Sequence, residues 1–470
     1  MIAIIPVLRS IVGVDGVETW DELNQRWQAI LGRSLVSLPT PPVMVYPRTQ
    51  SQLAAIMTCA HRHGWRVLPC GLGSKLHWGG VVSGVEIVVS TARLTQLVEH
   101  AVGDLTFTAE AGMPFAIAQS QLNQSRQHLA IDPNFAHIAT LGGILATANT
   151  GSLRHRFGGV RDRVLGLSIV RCDGEMVKCG GRVVKNVAGY DLMKLFTGSF
   201  GTLGVISQVT LRVYPQAEAF RAWIGVGEAT AIAKTATALL ASTLTPTTID
   251  LLSPQCVNDL KLGHGMGLVV TFESLTDSVQ WQGDRLTTMG ESVGLCTQII
   301  GDRTLYDSLW HGLKRQMDGD GVQALSNVID PSSSSKWIRE PINSDHVSIL
   351  CKLGIRSTEA VTLFTQLDTI LAIPWFGQIH MGSGLGRLRF NYPGSLTPAT
   401  IDQLVNKLLA VRTYCHQFKG FLTILDAPIR LKQKMDVWGY MGNALTIQQS
   451  LKQQFDPLQL LSPQRFLGDL

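Results

Sequence analysis

Three glycine-rich stretches follow one another along this chain: Pro69-Cys70-Gly71-Leu72-Gly73-Ser74-Lys75, then Ala139-Thr140-Leu141-Gly142-Gly143, then Gly198-Ser199-Phe200-Gly201-Thr202-Leu203-Gly204-Val205-Ile206. Where a turn lacks Cβ atoms, several backbone N–H groups can converge on one anion, which is how a protein cradles a pyrophosphate. One such stretch is a common turn. Three in order imply a long dinucleotide wrapped by several segments, and FAD fits that better than a mononucleotide.

The local pattern sets the first stretch in context. Residues 49–63 read as a helix with Leu53, Ile56, Met57 and Ala60 on one face and Gly64 as its stop. Residues 65–68 read as a short strand that delivers the glycines. A Rossmann fingerprint needs G-x-G-x-x-G opening straight into a helix. Here Leu76 stands at the third glycine and His77-Trp78-Gly79-Gly80 breaks any helix, so that arrangement is disfavoured. Further strands are expected at 105–109, at 164–171 with a return at 175–178 across Asp173-Gly174, and at 205–214; residues 115–125 look helical.

From Phe220 the texture changes. Segments with strand and helix patterns alternate over 222–226, 230–241, 249–252, 268–272 and 278–289, and a comparable run follows to Gln417. That suits a mixed sheet covered by helices on one face. The stretch Pro331-Ser332-Ser333-Ser334-Ser335 reads as a surface loop.

At 470 residues the chain is too long for one ordinary core. With 40 basic and 35 acidic residues the net charge is 40 − 35 = +5, and without a dense basic block nucleic acid is not an expected partner. No apolar run reaches the ~20 residues of a membrane span. The opening Met1-Ile2-Ala3-Ile4-Ile5-Pro6-Val7-Leu8 lacks a basic start and reads as an N-terminal strand or loosely packed tail. The eight cysteines contain no C-x-x-C pair, so neither zinc nor an iron–sulfur cluster is indicated, and scattered thiols point to a reducing, cytoplasmic setting.

The ordered motifs resemble a known family. Pro69-x-Gly71-x-Gly73-Ser74, Ala139 to Gly143, Arg161-Asp162-Arg163-Val164-Leu165-Gly166, Lys185-Asn186-Val187-Ala188-Gly189-Tyr190-Asp191-Leu192 and Gly198 to Ile206 look like the FAD-binding half of the vanillyl-alcohol oxidase/PCMH flavoproteins. Within it they are most similar to the 2-hydroxyacid dehydrogenase branch, and there to the FAD-binding E subunits of bacterial glycolate oxidases. The likeness covers residues 39–217 and returns at Phe455-Asp456-Pro457 and Ser462-Pro463-Gln464-Arg465.

The resemblance implies an α+β chain: a PCMH-type two-part FAD-binding domain at 39–217 after an N-terminal segment 1–38, an inserted α/β cap at 218–425, and a C-terminal return at 426–470. The residues implied at FAD are Cys70, Gly71, Leu72, Gly73, Ser74 and Lys75 on the pyrophosphate side, Pro133, Ala139, Thr140, Gly142, Gly143 and Gly151 along the flavin, and Val205 and Ile206 by main-chain contacts.

Two departures carry information. Relatives that tether flavin do so through the histidine of G-G-H-S. Here the stretch is Leu72-Gly73-Ser74-Lys75, so non-covalent FAD is expected. Catalytic relatives carry H-x-G-D-G-N-x-H for a divalent metal. Here it reads His380-Met381-Gly382-Ser383-Gly384-Leu385-Gly386-Arg387, which leaves no metal site and only His380 as a catalytic candidate. Phe200 likewise stands where those relatives have Glu.

A substrate-holding metal and an onward electron route must then come from other chains. The implied partners are a D-type FAD catalytic subunit and an iron–sulfur subunit, acting on a small 2-hydroxyacid in the cytoplasm or at the periphery of the inner membrane. A stand-alone FAD oxidoreductase of an alcohol or sugar, and a non-catalytic FAD-bearing scaffold, are the alternatives. Lys185 and Tyr190 suit either the flavin or a structural role. The basic run Arg154-His155-Arg156 to Arg161-Asp162-Arg163 suits either cofactor or interface.

Overall fold

The computed structural model describes residues 4–36, 40–182, 189–318 and 346–470. Lys185 and the serine run at 332–335 lie outside the described residues. By contacts the chain divides into two compact units. The first comprises Met1–Thr150, Gly159–Pro215 and Tyr440–Leu470; the second comprises Gly151–Gly158 and Gln216–Gly439. Among the described residues no helix is long and apolar enough to cross a membrane.

The first unit opens on a helix, Ile4–Val12, where a strand or tail is expected. Pro6 falls in its first turn, where a missing N–H costs little. Leu8 and Val12 are buried with Leu53, Ile56 and Met57 of the helix Gln50–His63, so tertiary packing sets the conformation of this short apolar run. The helix Gln50–His63 forms as expected: the Thr49 hydroxyl accepts from Gln52 N, and Gly64 takes the left-handed conformation, φ 68°, at the stop.

A four-stranded sheet follows in the order Val17–Glu18, Val43–Val45, Ile87–Ser90, Val67–Cys70, with the last three parallel. The strand Val67–Cys70 runs two residues further than expected and contains Pro69. It tolerates that proline because it lies at the sheet's edge. It therefore delivers the first glycine stretch directly from its end.

The second sheet of this unit has five antiparallel strands in the order Leu97–Ala101, Thr106–Glu110, Val205–Arg212, Val164–Val170, Met176–Gly180. Phe107, Val209, Leu211, Leu167 and Ile169 pack beneath Ala118 and Leu122 of the helix Phe115–Asn123, Leu141 and Ile144 of Leu141–Ala146, and Phe196 of Leu192–Phe196. The second glycine pair thus lies inside a helix and not in a turn. Gly142 is needed there because a Cβ would come within 2.8 Å of the Ala111 Cβ.

The C-terminal helix Leu445–Phe455 is tied to the third glycine stretch by one buried lysine. Lys452 Nζ donates to Thr202 O at 2.9 Å, to Leu461 O at 2.8 Å and to Asp456 Oδ2 at 2.6 Å. Asp456 also accepts from Leu460 N and Leu461 N. Burial lowers the lysine's pKa, while Asp456 opposes that shift.

The second unit holds an eight-stranded sheet in the order Cys296–Ile300, Ala219–Gly227, Met266–Ser274, Thr248–Leu252, Trp375–His380, Leu385–Pro393, His346–Gly354, Phe421–Asp426. Its described pairings are all antiparallel, where a mixed sheet is expected. One face packs under the helices Ala229–Leu240, Thr276–Glu291, Ala360–Leu371 and Pro398–Gln417. The opposite face is partly covered by Pro254–Asp259 and Arg303–Asp318, through Val257, Tyr306, Leu313 and Met317.

Two segments join this unit that the sequence reading places elsewhere. Residues 426–439 stay with it because Ile424 N donates to Val437 O at 2.7 Å and the Arg412 guanidinium bridges Leu422 O and Val437 O. Residues 151–158 join it because Ser152 donates to Asp250. The basic run is therefore split, with Arg154 to Arg156 in the second unit and Arg161 to Arg163 in the first.

Candidate functional site

In the first unit residues of all three glycine stretches line one open cleft. Its wall runs from Pro69 to Leu76, through Thr91, Thr140, Gly142, Gly143, Ala146 and Thr147, to Ser199, Phe200, Gly201, Gly204, Val205, Ile206 and Arg465. No Asp or Glu lines it among the described residues.

Hydrogen bonding orients the first loop. Its carbonyls are drawn away: Cys70 O accepts from Thr91 Oγ1 at 3.3 Å, Gly71 O from Ser90 Oγ at 2.8 Å, and Leu72 O from the Arg26 guanidinium at 2.7 Å. Arg465 takes Lys75 O and Leu76 O at 3.2 and 3.0 Å. The amides of Leu72, Gly73 and Ser74 donate to no other described residue, although Gly73 and Ser74 are buried. Buried N–H groups without partners are rare. Without an acceptor among the described residues, these amides are available to donate to an anion, as in a nest.

Glycine is required at two points of this loop. Gly73 has φ +77°, and a Cβ on it would sit 2.7 Å from the Trp27 ring. A Cβ on Gly71 would meet Thr140 Oγ1 at 2.2 Å. The amides of Gly142 and Gly143 contribute no free donors, because they bond to Ala111 O at 2.8 Å and Thr140 Oγ1 at 3.2 Å. The second stretch supplies shape, and the first supplies donors.

Charge in the wall is positive. Lys75 and Arg465 are 4% exposed each. Burial lowers the Arg465 pKa to about 10, with the Cys70 thiol pulling the other way, so it stays cationic at neutral pH. Burial pushes the Cys70 thiol up to about 12, which leaves it a poor nucleophile. Ser199 Oγ is buried with no partner among the described residues. Unpaired amides, two cations and an orphan hydroxyl in a cleft without carboxylates fit the diphosphate of FAD.

Of the residues the sequence points to, Cys70 to Lys75, Thr140, Gly142, Gly143, Val205 and Ile206 line the cleft. Pro133, Ala139 and Gly151 do not: Ala139 O is spent on Phe115 N, and Gly151 belongs to the other unit. Tyr190 is 92% exposed and away from the wall. Ser199, Phe200, Gly201, Gly204 and Arg465 were missed as site residues, although they lie in the third stretch and the closing motif. Thr91 and Ala146 carry no local signal.

The second unit holds a different cluster. Cross-strand pairing sets Asp250 opposite His380. His380 Nδ1 lies 2.5 Å from Asp250 Oδ1, and the same oxygen accepts from Ser152 Oγ at 2.9 Å and Gln378 Nε2 at 3.1 Å. Asp250 is fully buried, and its Oδ2 has no partner among the described residues. Arg387, at the position of the second histidine in the metal-binding pattern, donates to Gln378 Oε1 at 2.9 Å and pairs with Asp318 at 3.4 Å. His155 packs on the 381–384 turn, where a Cβ on Gly382 would be 1.9 Å from its Nδ1. Burial lowers its pKa. No group of three or more His, Cys, Asp or Glu able to hold a metal converges among the described residues.

Residues 41–180 match the FAD binding domain family. Over 255 residues the chain is 28% identical to the glycolate oxidase subunit GlcD of Bacillus subtilis (strain 168), covering 52% of this chain and 53% of that protein. Over 150 residues it is 37% identical to the glycolate oxidase subunit GlcE of Escherichia coli (strain K12), covering 32% and 42%. It is 31% identical over 215 residues to a probable mitochondrial D-lactate dehydrogenase of Danio rerio, covering 45% and 42%. The chain thus spans about half the length, or less, of these curated relatives. Among solved structures, p-cresol methylhydroxylase with substrate bound matches 98% of this chain and 96% of its own at TM-score 0.74 and 13% identity. Alkyldihydroxyacetonephosphate synthase matches 99% and 86% at TM-score 0.71 and 14% identity. The fold is the PCMH-type FAD-binding fold, of class α+β.

Proposed function

We propose that this chain is an FAD-binding subunit of a glycolate-type 2-hydroxyacid dehydrogenase complex and that it holds FAD non-covalently. The observation that carries the reading is the unpaired amide row of Leu72, Gly73 and Ser74 beside Lys75 and Arg465. Those amides, with the two cations, would hold the diphosphate, while Thr140, Gly142 and Ala146 shape the wall. Bound FAD supplies a hydride acceptor for an alcohol carbon. With Ser74 at the tethering position and Cys70 kept protonated by burial, neither offers a ready covalent link.

The hydroxyacid class and the partners follow from the similarity to the glycolate oxidase subunits and the D-lactate dehydrogenase. Because Ser383, Leu385 and Arg387 replace metal-holding residues, we assign the metal-assisted step to a D-type FAD subunit and onward electron flow to an iron–sulfur subunit. The complex would work in the cytoplasm or against the inner membrane through those partners. A stand-alone FAD oxidoreductase is the second reading, favoured by the Asp250–His380 pair, which could serve as its base.

Native purification should give a yellow protein from which acid or heat releases FAD. The chain alone should oxidise glycolate and D-lactate negligibly with a dye acceptor, and activity should appear on reconstitution with D-type and iron–sulfur subunits. Flavin that stays on the denatured polypeptide would overturn non-covalent binding. Brisk turnover by the isolated chain would favour the second reading.

A further inference from the structure

Half of the basic run, Arg161 to Arg163, stays in the first unit, and the cradle uses none of it. Antiparallel pairing sets Val164 opposite Leu211, so Arg163, one residue earlier, stands level with Arg212, one residue later. Tyr214 follows two residues on, and its backbone is fixed by pairing with His128. The guanidinium carbons of Arg163 and Arg212 each lie 5.0 Å from the centroid of the Tyr214 ring. Both distances fall inside the range of a cation–π contact.

These two cations lack a counter-ion. Neither forms a hydrogen bond or an ion pair with a described residue, and Arg163 Nε is buried without a partner among them. Asp162 stands next to Arg163 in the chain, but its carboxylate accepts from Gly159 N at 2.8 Å and caps its own helical turn. Two further cations crowd the same turn. Lys194 Nζ donates to Arg161 O at 2.5 Å and to Val164 O at 3.2 Å, and Arg161 Nε donates back to Lys194 O at 3.3 Å. Elsewhere in this unit arginines do find carboxylates: Arg171 pairs with Asp173 and Glu175, and Arg48 with Asp15.

Like charges this close repel, and here the phenol ring and the strand register hold them in place. Side chains fixed before binding lose little freedom on association, and an unpaired guanidinium offers a planar fork of donors that matches a carboxylate. The two guanidinium centres are roughly 10 Å apart at most, twice their distance to the ring. Alternate side chains of an extended chain are about 7 Å apart, which fits that span. We propose that Arg163, Arg212 and Tyr214 form a docking surface for an acidic, extended segment of a partner protein, with one carboxylate on each guanidinium. The existence of a partner rests on the reading of this chain as a subunit. The ring-held cation pair stands independently of it.

The test is calorimetric titration of the full chain, with whatever flavin it carries, by a hexaglutamate peptide at low salt. Wild type should bind it saturably and release it at high salt. Arg163→Gln and Arg212→Gln should each weaken binding about tenfold, the low end for a lost hydrogen bond to a charged group. Tyr214→Phe keeps the ring and should bind like wild type, whereas Tyr214→Leu should bind about threefold more weakly. Arg171→Gln removes a guanidinium already matched by carboxylates and should change nothing. None of these residues lines the cleft, so flavin content should stay at the wild-type level throughout.

Equal affinity in wild type and both arginine variants, no binding by wild type, or an equal loss in Arg171→Gln would overturn the surface. Flavin lost from the arginine variants would return the pair to the cofactor and overturn it as well. Vesicles of phosphatidylserine and phosphatidylcholine held through these arginines, with the peptide ignored, would move the surface to a membrane and overturn the protein assignment. Where Arg163→Gln fails to melt as a folded protein, Arg212→Gln with the two Tyr214 variants decides. Colour separates the two proposals: a colourless chain that binds the peptide through this pair keeps the surface and removes the FAD reading. A yellow chain blind to the peptide removes the surface alone.

Discussion

The cradle of the first unit and the polar cluster of the second are built from opposite materials. In the cradle the donors are main-chain amides of Leu72, Gly73 and Ser74, and the side chains mainly hold carbonyls out of the way. In the cap cluster side chains do everything: Asp250, His380, Ser152 and Gln378 meet on one carboxylate oxygen. An amide site depends on what is absent from a residue, and a side-chain site depends on what is present. The first should be destroyed by adding atoms to a glycine and the second by removing one functional group.

The largest expected effect comes from adding atoms. Gly73→Asp places a strained, acidic side chain against Trp27 and beside the predicted diphosphate. Flavin content should fall to background, and for a cofactor held at about a thousand times its Kd the lost stabilisation is about 4 kcal/mol. Absorbance per mole of protein and a melting curve check it. Full flavin occupancy would end the contrast, because the loop would not be the donor surface.

Next comes a variant that asks whether the amide site leans on a side chain after all. Lys452→Met strands Asp456 in a buried position and frees Thr202 O in the third stretch. Breaking a buried pair from one side costs about 3 to 5 kcal/mol. Denaturant unfolding should show that loss, with flavin bound more weakly but still present at high FAD concentration.

Removing one functional group from the cap follows. Asp250→Asn keeps the shape but weakens the acceptor shared by His380, Ser152 and Gln378, at a cost of about 1 to 3 kcal/mol. Flavin content should stay at the wild-type level while unfolding shifts to lower denaturant. A simultaneous loss of flavin would blur the distinction between the two sites.

The smallest effect sets the baseline of an exposed pair. Arg48, through a hydrogen bond and its charge, and then Arg93 hold the Asp15 pKa below its ordinary 3.8. The folded pKa is the lower one, so this contribution is present above about pH 4 and fades as pH falls through the folded value. Asp15→Asn should flatten the acid limb of a melting-temperature profile slightly at low ionic strength and not at high salt.

How far the sequence could be read follows from the same contrast. Helix ends and tight turns are local: the stop of Gln50–His63 at Gly64 and the left-handed φ of Gly73 belong to their own turns, whereas the need for glycine at 71 comes from the distant Thr140. Gly142 and Gly143 line the cleft as expected but resemble a turn in sequence, whereas they lie in a helix that Gly142 lets press against Ala111. The N-terminal helix was hidden because Leu8 and Val12 need Leu53 and Ile56 to be buried. Asp250 and His380 are 130 residues apart and meet only through strand register, which no local spacing encodes. His380 was visible through its motif, and its aspartate was not. Residues 426–439 were assigned to the return because the bond from Ile424 N to Val437 O has no sequence signature.

The bond from Arg465 to Lys75 O spans 390 residues. A ribosome adding about 5 to 20 residues per second needs roughly 20 to 80 s to cover that interval. Throughout it the first loop has emerged with its glycines in place, and its wall still lacks Arg465. Residue 465 and the Lys452 tie arrive after the whole second unit has been translated. A nascent chain stalled before residue 452 should therefore display a folded helix Gln50–His63 and yet hold no flavin.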